Sequence, residues 1–238
     1  MAHAFAEASA GLRCSPPVQR IERAARASVR KIAEALMPPS MVVWRGPSNA
    51  PGSGRVALTF DDGPDEMTPE YLSVLGGLGV RATFFVIGAQ CEKRPALVTR
   101  IADAGHELGA HGYTHRRFPS LAVRELETEL RDTQRLLPKT SGGKPLVRPP
   151  HGAVSVASML TCARAGFTTV LWSRDSNDCR TERTSDVVQS FEQLDIRRGD
   201  IVLLHEGQRW TVESLPRIVE RLREAGHALV TVGELLDG

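Results

Sequence analysis

Cysteine is scarce in this sequence, and its spacing excludes one class of site at once. The 238 residues hold four, Cys14, Cys91, Cys162 and Cys179, with no C-x-x-C pair, so a cysteine zinc site is not expected. They read as four reduced thiols of a cytosolic protein, with a single bridge as the alternative. Long apolar runs are missing as well. None approaches the ~18 residues of a membrane span. The N-terminus lacks the uninterrupted apolar core of a secretory signal. A cytoplasmic protein is expected, or a secreted one whose signal has been removed. Nor does charge of one sign dominate. Lys+Arg 30 against Asp+Glu 28 leaves a net +2, which provides no global drive toward nucleic acid or anionic membrane.

What remains is the material for a core. Hydrophobic residues make up 41%, and the length suits one large α/β domain or two small ones. Residues 1–54 differ from the rest and read as an N-terminal helical extension and linker. Pro16-Pro17 precedes a helical stripe near 18–37, carried by Val18, Ile21, Ala25, Ile32 and Leu36, and Pro38-Pro39 ends it. Arg20, Arg23, Arg26, Arg30 and Lys31 make the stretch basic. A surface helix packed on the main domain is the expectation. Membrane or partner contact through this basic helix is the sharper alternative. Gly46 to Gly54 then reads as a linker.

Residues 55–238 form the main domain. Strand patterns near 56–60, 82–87, 106–110, 146–148, 168–172, 200–204 and 228–231 alternate with helical patterns near 68–78, 94–104, 121–137, 155–165, 184–195 and 213–224. Such alternation predicts βαβ units and a parallel sheet, closed into a compact barrel, with an open doubly wound sheet as runner-up. The polar motifs fall at the predicted strand ends. Asp61-Asp62, His111, Arg148, the stretch Trp172 to Asp178, and His205 all do so. In a parallel barrel those ends share one face.

The residue types on that face point to metal-assisted hydrolysis. A carboxylate and two histidines at i and i+4, His111 and His115, make a three-ligand set with a position left open. Of the adjacent Asp61 and Asp62, one can ligate while the other acts as general base. Successive side chains of a strand end point apart, so both are not expected on one metal. Arg148 can hold a carboxylate in a bidentate pair. The rigid Pro149-Pro150 turn after it can present a backbone N–H to an oxyanion. His205 can serve as general acid if a carboxylate holds and charges it. His106 and His227 sit at strand starts and read as structural. Trp172 reads as core packing.

These motifs occur in the order of the polysaccharide deacetylase family, the NodB-homology domain of carbohydrate esterase family 4, which the chain resembles from about Arg55 to Gly238. Thr59 to Pro64 look like its first motif and His111 to His115 its second. Arg148 to Gly152 look like its third, Asp178 its fourth, and Leu203-Leu204-His205 its fifth. The resemblance implies a distorted (β/α)7 barrel and metal-dependent removal of acetyl from an N-acetylated amino sugar. O-deacetylation of a glycan and deacylation of a small amide are its rivals, and a catalytically dead glycan-binding module is a third. It implies Asp61 as base, and Asp62, His111 and His115 on one divalent metal. Zinc is favoured, with cobalt or nickel able to fit. Arg148 would orient Asp61, Asp178 would tune His205, and His205 would protonate the leaving amine. The backbone N–H of His151 would meet the oxyanion, with Pro149, Pro150 and Leu203 in the substrate-binding set. The partner is an acetylated carbohydrate or small acetylated substrate, with no nucleic acid. Two departures stand out. His151 replaces the family's usual tyrosine, and Cys179 replaces its frequent tryptophan, which removes an aromatic wall of the groove.

Overall fold

The computed structural model describes residues 37, 38, 40–47, 54–138 and 144–237. The chain divides after Met37, and the architecture here is that of Pro38–Gly238. The helix expected near 18–37, its proposed membrane contact and Cys14 lie outside the described residues.

Among the described residues there are nine strands and eight α-helices. The strands are β1 (Val42–Val43), β2 (Arg55–Asp61), β3 (Thr83–Val86), β4 (Glu107–Ala110), β5 (Leu146–Val147), β6 (Thr168–Val170), β7 (Arg174–Asp175), β8 (Ile201–His205) and β9 (Ala228–Val230). The helices are α1 (Thr68–Gly77), α2 (Gly88–Lys93), α3 (Pro95–Asp103), α4 (Val123–Leu136), α5 (Val156–Arg164), α6 (Thr184–Glu192), α7 (Arg209–Glu224) and α8 (Val232–Asp237). The pairings run β1-β6-β5-β4-β3-β2-β8-β7, with β9 added to β2, and every pair is parallel. β6 and β7 stand far apart along this path, yet only residues 171–173 separate them in the chain. So short a link spans the gap only if the sheet curls its edges together, which makes a distorted barrel of the expected (β/α) type.

Alternation along β2 sorts its side chains. Val56, Leu58 and Phe60 join a buried layer with Tyr71 and Leu75 of α1, Ile101 of α3, and Leu215, Ile218 and Leu222 of α7. Ala57 belongs to a separate interior cluster with Val43, Phe85, Val170 and Ile201. By the same alternation Thr59 and Asp61 face the interior. Their register partners on β8, Leu203 and His205, share that face. Phe85 can lie across the barrel because β4 carries Gly109, where a Cβ would meet the ring at 2.6 Å.

The seam of the barrel is closed by a buried carboxylate. Asp200 accepts from the Ser173 hydroxyl and the Arg197 N–H, each at 2.7 Å. It also pairs with Arg45 at 2.5 Å and Arg174 at 3.0 Å. Val42 and Val43 are buried, and the Gly46 N–H donates to the Gly199 carbonyl at 2.8 Å. The described stretch 40–47 therefore packs as part of the barrel, although it falls in the segment read as extension and linker.

Candidate metal centre and active site

Because the strands are parallel, their C-terminal ends open on one mouth. Asp61 closes β2 and His205 closes β8, and the two are register partners. His111 follows β4, Arg148 follows β5, and Asp178 opens a 3₁₀ turn after β7. The placement expected from sequence is the placement found.

Asp62 leaves the strand with φ at 79°. This left-handed step undoes the divergence expected of consecutive strand residues. Asp62 Oδ1 lies 3.4 Å and Asp61 Oδ2 3.7 Å from the same nitrogen, His111 Nε2. The two carboxylates converge, contrary to the extended geometry read at that strand end. Their neighbours tell them apart instead. Arg148 is fully buried and donates from one Nη to Asp61 Oδ1 and to Thr59 Oγ1, both at 2.7 Å. Its other nitrogens donate to the carbonyls of Val170 and Leu171, and its guanidinium lies 4.1 Å over the Phe85 ring. Asp61 is thereby aimed with one oxygen left over.

Asp62 has no such clamp. Its Oδ1 is buried and accepts no hydrogen bond. Around it stand His115 Nε2 at 3.1 Å and His111 Nε2 at 3.4 Å. His111 Nδ1 donates to the Arg148 carbonyl at 2.8 Å, which leaves the lone pair on Nε2. One oxygen and two nitrogen donors thus converge within 4.8 Å of one another. An orphaned carboxylate oxygen facing imidazole lone pairs fits a divalent cation, with a tetrahedral position left for water or substrate.

The loop between the two histidines is pinned by a residue the sequence reading passed over. Glu129 of α4 is buried and accepts from the backbone N–H groups of Tyr113 at 2.5 Å and Thr114 at 2.8 Å, and from the Thr114 hydroxyl. A signal was available. Glu129 sits with Leu126, Leu130 and Thr133 on the core-facing stripe of its helix, where a carboxylate has no reason to be unless it is paired.

On the opposite wall Asp178 is fully buried. Its Oδ1 accepts from His205 Nδ1 at 2.8 Å, while its Oδ2 accepts from the His205 N–H at 2.8 Å and the Thr211 hydroxyl at 2.9 Å. Burial pushes the His205 imidazole down, but Asp178 overrides it and lifts the ring to about 9. That lift favours the imidazolium form of His205, whose Nε2 is left unengaged by Asp178.

The Pro149-Pro150 turn carries His151 at φ 58° and Gly152 at φ 60°. Gly152 is required there, since a Cβ would meet the Trp172 ring at 2.5 Å. Trp172 is partly buried against the barrel interior, as read. The His151 ring lies 4.6 Å from that of His115, so the residue in the tyrosine position borders the donor set. Leu203 is buried one step below His205 on the inward face. His106 accepts the Ala82 N–H at 3.1 Å and stacks edge-on against Phe84, a packing role at the far end of the barrel.

Residues 48–170 match the family model described as polysaccharide deacetylase. A peptidoglycan-N-acetylglucosamine deacetylase of Bacillus cereus is 35% identical over 211 residues, covering 86% of this chain and 97% of that protein. A chitooligosaccharide deacetylase of Sinorhizobium fredii is 34% identical over 198 residues, covering 76% and 91%. Among solved structures, a peptidoglycan N-acetylglucosamine deacetylase in complex with an N-hydroxybenzamide superposes with TM-score 0.76 at 30% identity, covering 83% of this chain and 93% of that one.

Proposed function

The chain belongs to the polysaccharide deacetylase family, and on that premise we propose that it is a metal-dependent hydrolase removing the acetyl group from an N-acetylated amino sugar. N-acetylglucosamine is the sugar named for the Bacillus cereus relative, and the Sinorhizobium fredii relative is named for chitooligosaccharides. An N-acetylglucosamine oligosaccharide is therefore the substrate class we favour. Cys179 in place of an aromatic wall favours a short chain over a long one.

One observation carries the reading. Two charge couples, Arg148–Asp61 at 2.7 Å and Asp178–His205 at 2.8 Å, end on the registered pair Asp61 and His205, beside three convergent metal donors. Asp62, His111 and His115 would hold one divalent cation, and zinc suits their set of one oxygen and two nitrogens. When bound, the ion supplies Lewis-acid polarisation of the acetyl carbonyl and acidifies water. The chain's own residues would handle the protons. Asp61 Oδ2 accepts the proton of the attacking water while Arg148 keeps the carboxylate aimed. The backbone N–H of His151 donates to the developing oxyanion, in a turn stiffened by two prolines. His205 gives its proton to the departing nitrogen, and Asp178 stabilises the imidazolium beforehand.

The test is acetate release from N-acetylglucosamine oligomers, run beside acetylated xylan and small acetamides. Release from the oligomers should cease on chelation and return with zinc or cobalt. Full turnover in demonstrably metal-free protein, or release confined to the esters, would overturn the proposal.

A further inference from the structure

His205 ends β8 facing the mouth, and the next residue, Glu206, turns the other way, toward the first residue of α1. Its side chain is buried. Oε1 accepts from the Thr68 hydroxyl at 2.6 Å, while Oε2 accepts no hydrogen bond among the described residues. A carboxyl left half-paired inside a protein is destabilising and calls for a reason. The reason lies beside it. Oε2 occupies the place that a side chain on residue 63 would take, so that residue has to be glycine, and the carboxyl rests against it.

Glu206 grips the chain on both sides of Asp62. Its N–H donates to the Asp61 carbonyl at 2.9 Å. Beyond Asp62 its carboxyl lies on Gly63. Through Thr68 Oγ1, which accepts the Asp65 N–H at 2.9 Å, it also ties down the loop that follows. Asp62 itself stands at φ 79°. A residue other than glycine stays in this left-handed region only where its surroundings hold it. The turn is what brings Asp62 Oδ1 to His111 and His115.

We propose that Glu206 is a positioning residue for the metal: its carboxyl, wedged against Gly63 and bonded to Thr68, fixes the left-handed turn of Asp62 and so aims that carboxylate at the two histidines. The inference rests on the reading of Asp62 as a ligand. One strand end then carries the proton donor inward, as His205, and the support of the metal ligand outward, as Glu206. The role works through shape and one hydrogen bond. Glutamine has the same shape, and its amide oxygen accepts the same bond. Alanine vacates the place beside Gly63, leaves the Thr68 hydroxyl without its acceptor and frees the turn to relax. The backbone bond to Asp61 survives every substitution at 206, so the variants report on the side chain alone.

The experiment measures the zinc affinity of wild type, Glu206→Ala, Glu206→Gln and Thr68→Val by competition with a chromogenic chelator, beside thermal melts of the metal-free proteins. Glu206→Ala should bind zinc about 10–100-fold more weakly, the scale for losing a group that orients a ligand. Thr68→Val, which removes only the hydroxyl, should weaken binding in the same direction, and Glu206→Gln should stay near wild type. A merely structural Glu206 would lower the melting temperature of metal-free Glu206→Ala and leave its zinc affinity unchanged, and that result overturns the inference. A Glu206→Gln variant as weak as Glu206→Ala overturns it too, since charge rather than position would then be the contribution. If Glu206→Ala does not fold, undiminished affinity in Thr68→Val overturns it in turn. Wild type without zinc affinity would refute the metal reading itself and this inference with it, whereas wild type and Glu206→Ala binding equally would refute this inference alone.

Discussion

Replacing Asp61 by asparagine should separate chemistry from metal binding, and the structure sets the size of both effects. Asp61 Oδ1 is committed to Arg148, which leaves its Oδ2 to take a proton from water. An amide cannot act as that base. General-base catalysis contributes a factor of roughly 10² to 10⁴, so kcat should fall by at least that lower bound. The amide oxygen can still accept from Arg148, but the fully buried guanidinium loses its counter-charge. Breaking a buried pair in this way costs about 3–5 kcal/mol. At about 2–4 °C per kcal/mol for a domain of this size, Tm should drop by about 6–20 °C. Metal content should stay near one equivalent, because Asp62, His111 and His115 are untouched. Asp62→Asn should do the reverse and lose the metal, since a neutral amide is a poorer ligand. The assay is metal content by elemental analysis, kcat well below the lowered Tm, and a thermal melt for both variants. If Asp61→Asn loses its metal while Asp62→Asn keeps it, the two roles are the wrong way round. If Asp61→Asn keeps kcat within tenfold of wild type, the proton goes elsewhere.

Glu129→Ala should weaken metal affinity about 10–100-fold by releasing the Tyr113–Thr114 backbone between the two histidines. Competition with a chromogenic chelator measures this, and unchanged affinity would show that the loop holds itself. His106 supplies a pH test. Burial, then Arg81, push its imidazole down to about 4 from the ordinary 6.5. The unfolded chain therefore takes up this proton first as pH falls. Stability present above pH ~6.5 should decline toward pH 4 by on the order of 3 kcal/mol. Urea midpoints of wild type and His106→Asn across that window check it, and parallel declines would refute it. A chain begun at Pro38 keeps β1, whereas one begun at Gly52 loses it. Removing the buried Val42 and Val43 costs about 1.5–3 kcal/mol each, and Asp200 also loses Arg45. Equal Tm values for the two truncations would contradict this role of β1.

Six of the seven strands legible in the sequence run to three residues or more, and the seventh, β5, has only two. Val42-Val43 and Arg174-Asp175 are two-residue strands, too short for any period, and only their pairing with β6 and β8 makes them strands. The six-residue helices α2 and α8 escaped notice for the same reason. The missed Glu129 did leave a trace, a charge on an apolar stripe, but its partners lie 15 and 16 residues back on another element. Thr211 reaches Asp178 across 33 residues, with no local mark of it.

The sequence by itself determined which donors exist and which end of the barrel carries them, because strand periodicity and chain order together place each motif after a strand. The family resemblance implied which carboxylate Arg148 would orient, but only the tertiary structure supplies the physical reason. Asp61 and Asp62 are chemically equal neighbours. The difference comes from Arg148, 87 residues away, which takes one oxygen of the first, and from a left-handed turn that swings the second toward His111 and His115. The direction of a lone pair is set by contacts between distant residues, and no local pattern in the chain encodes it.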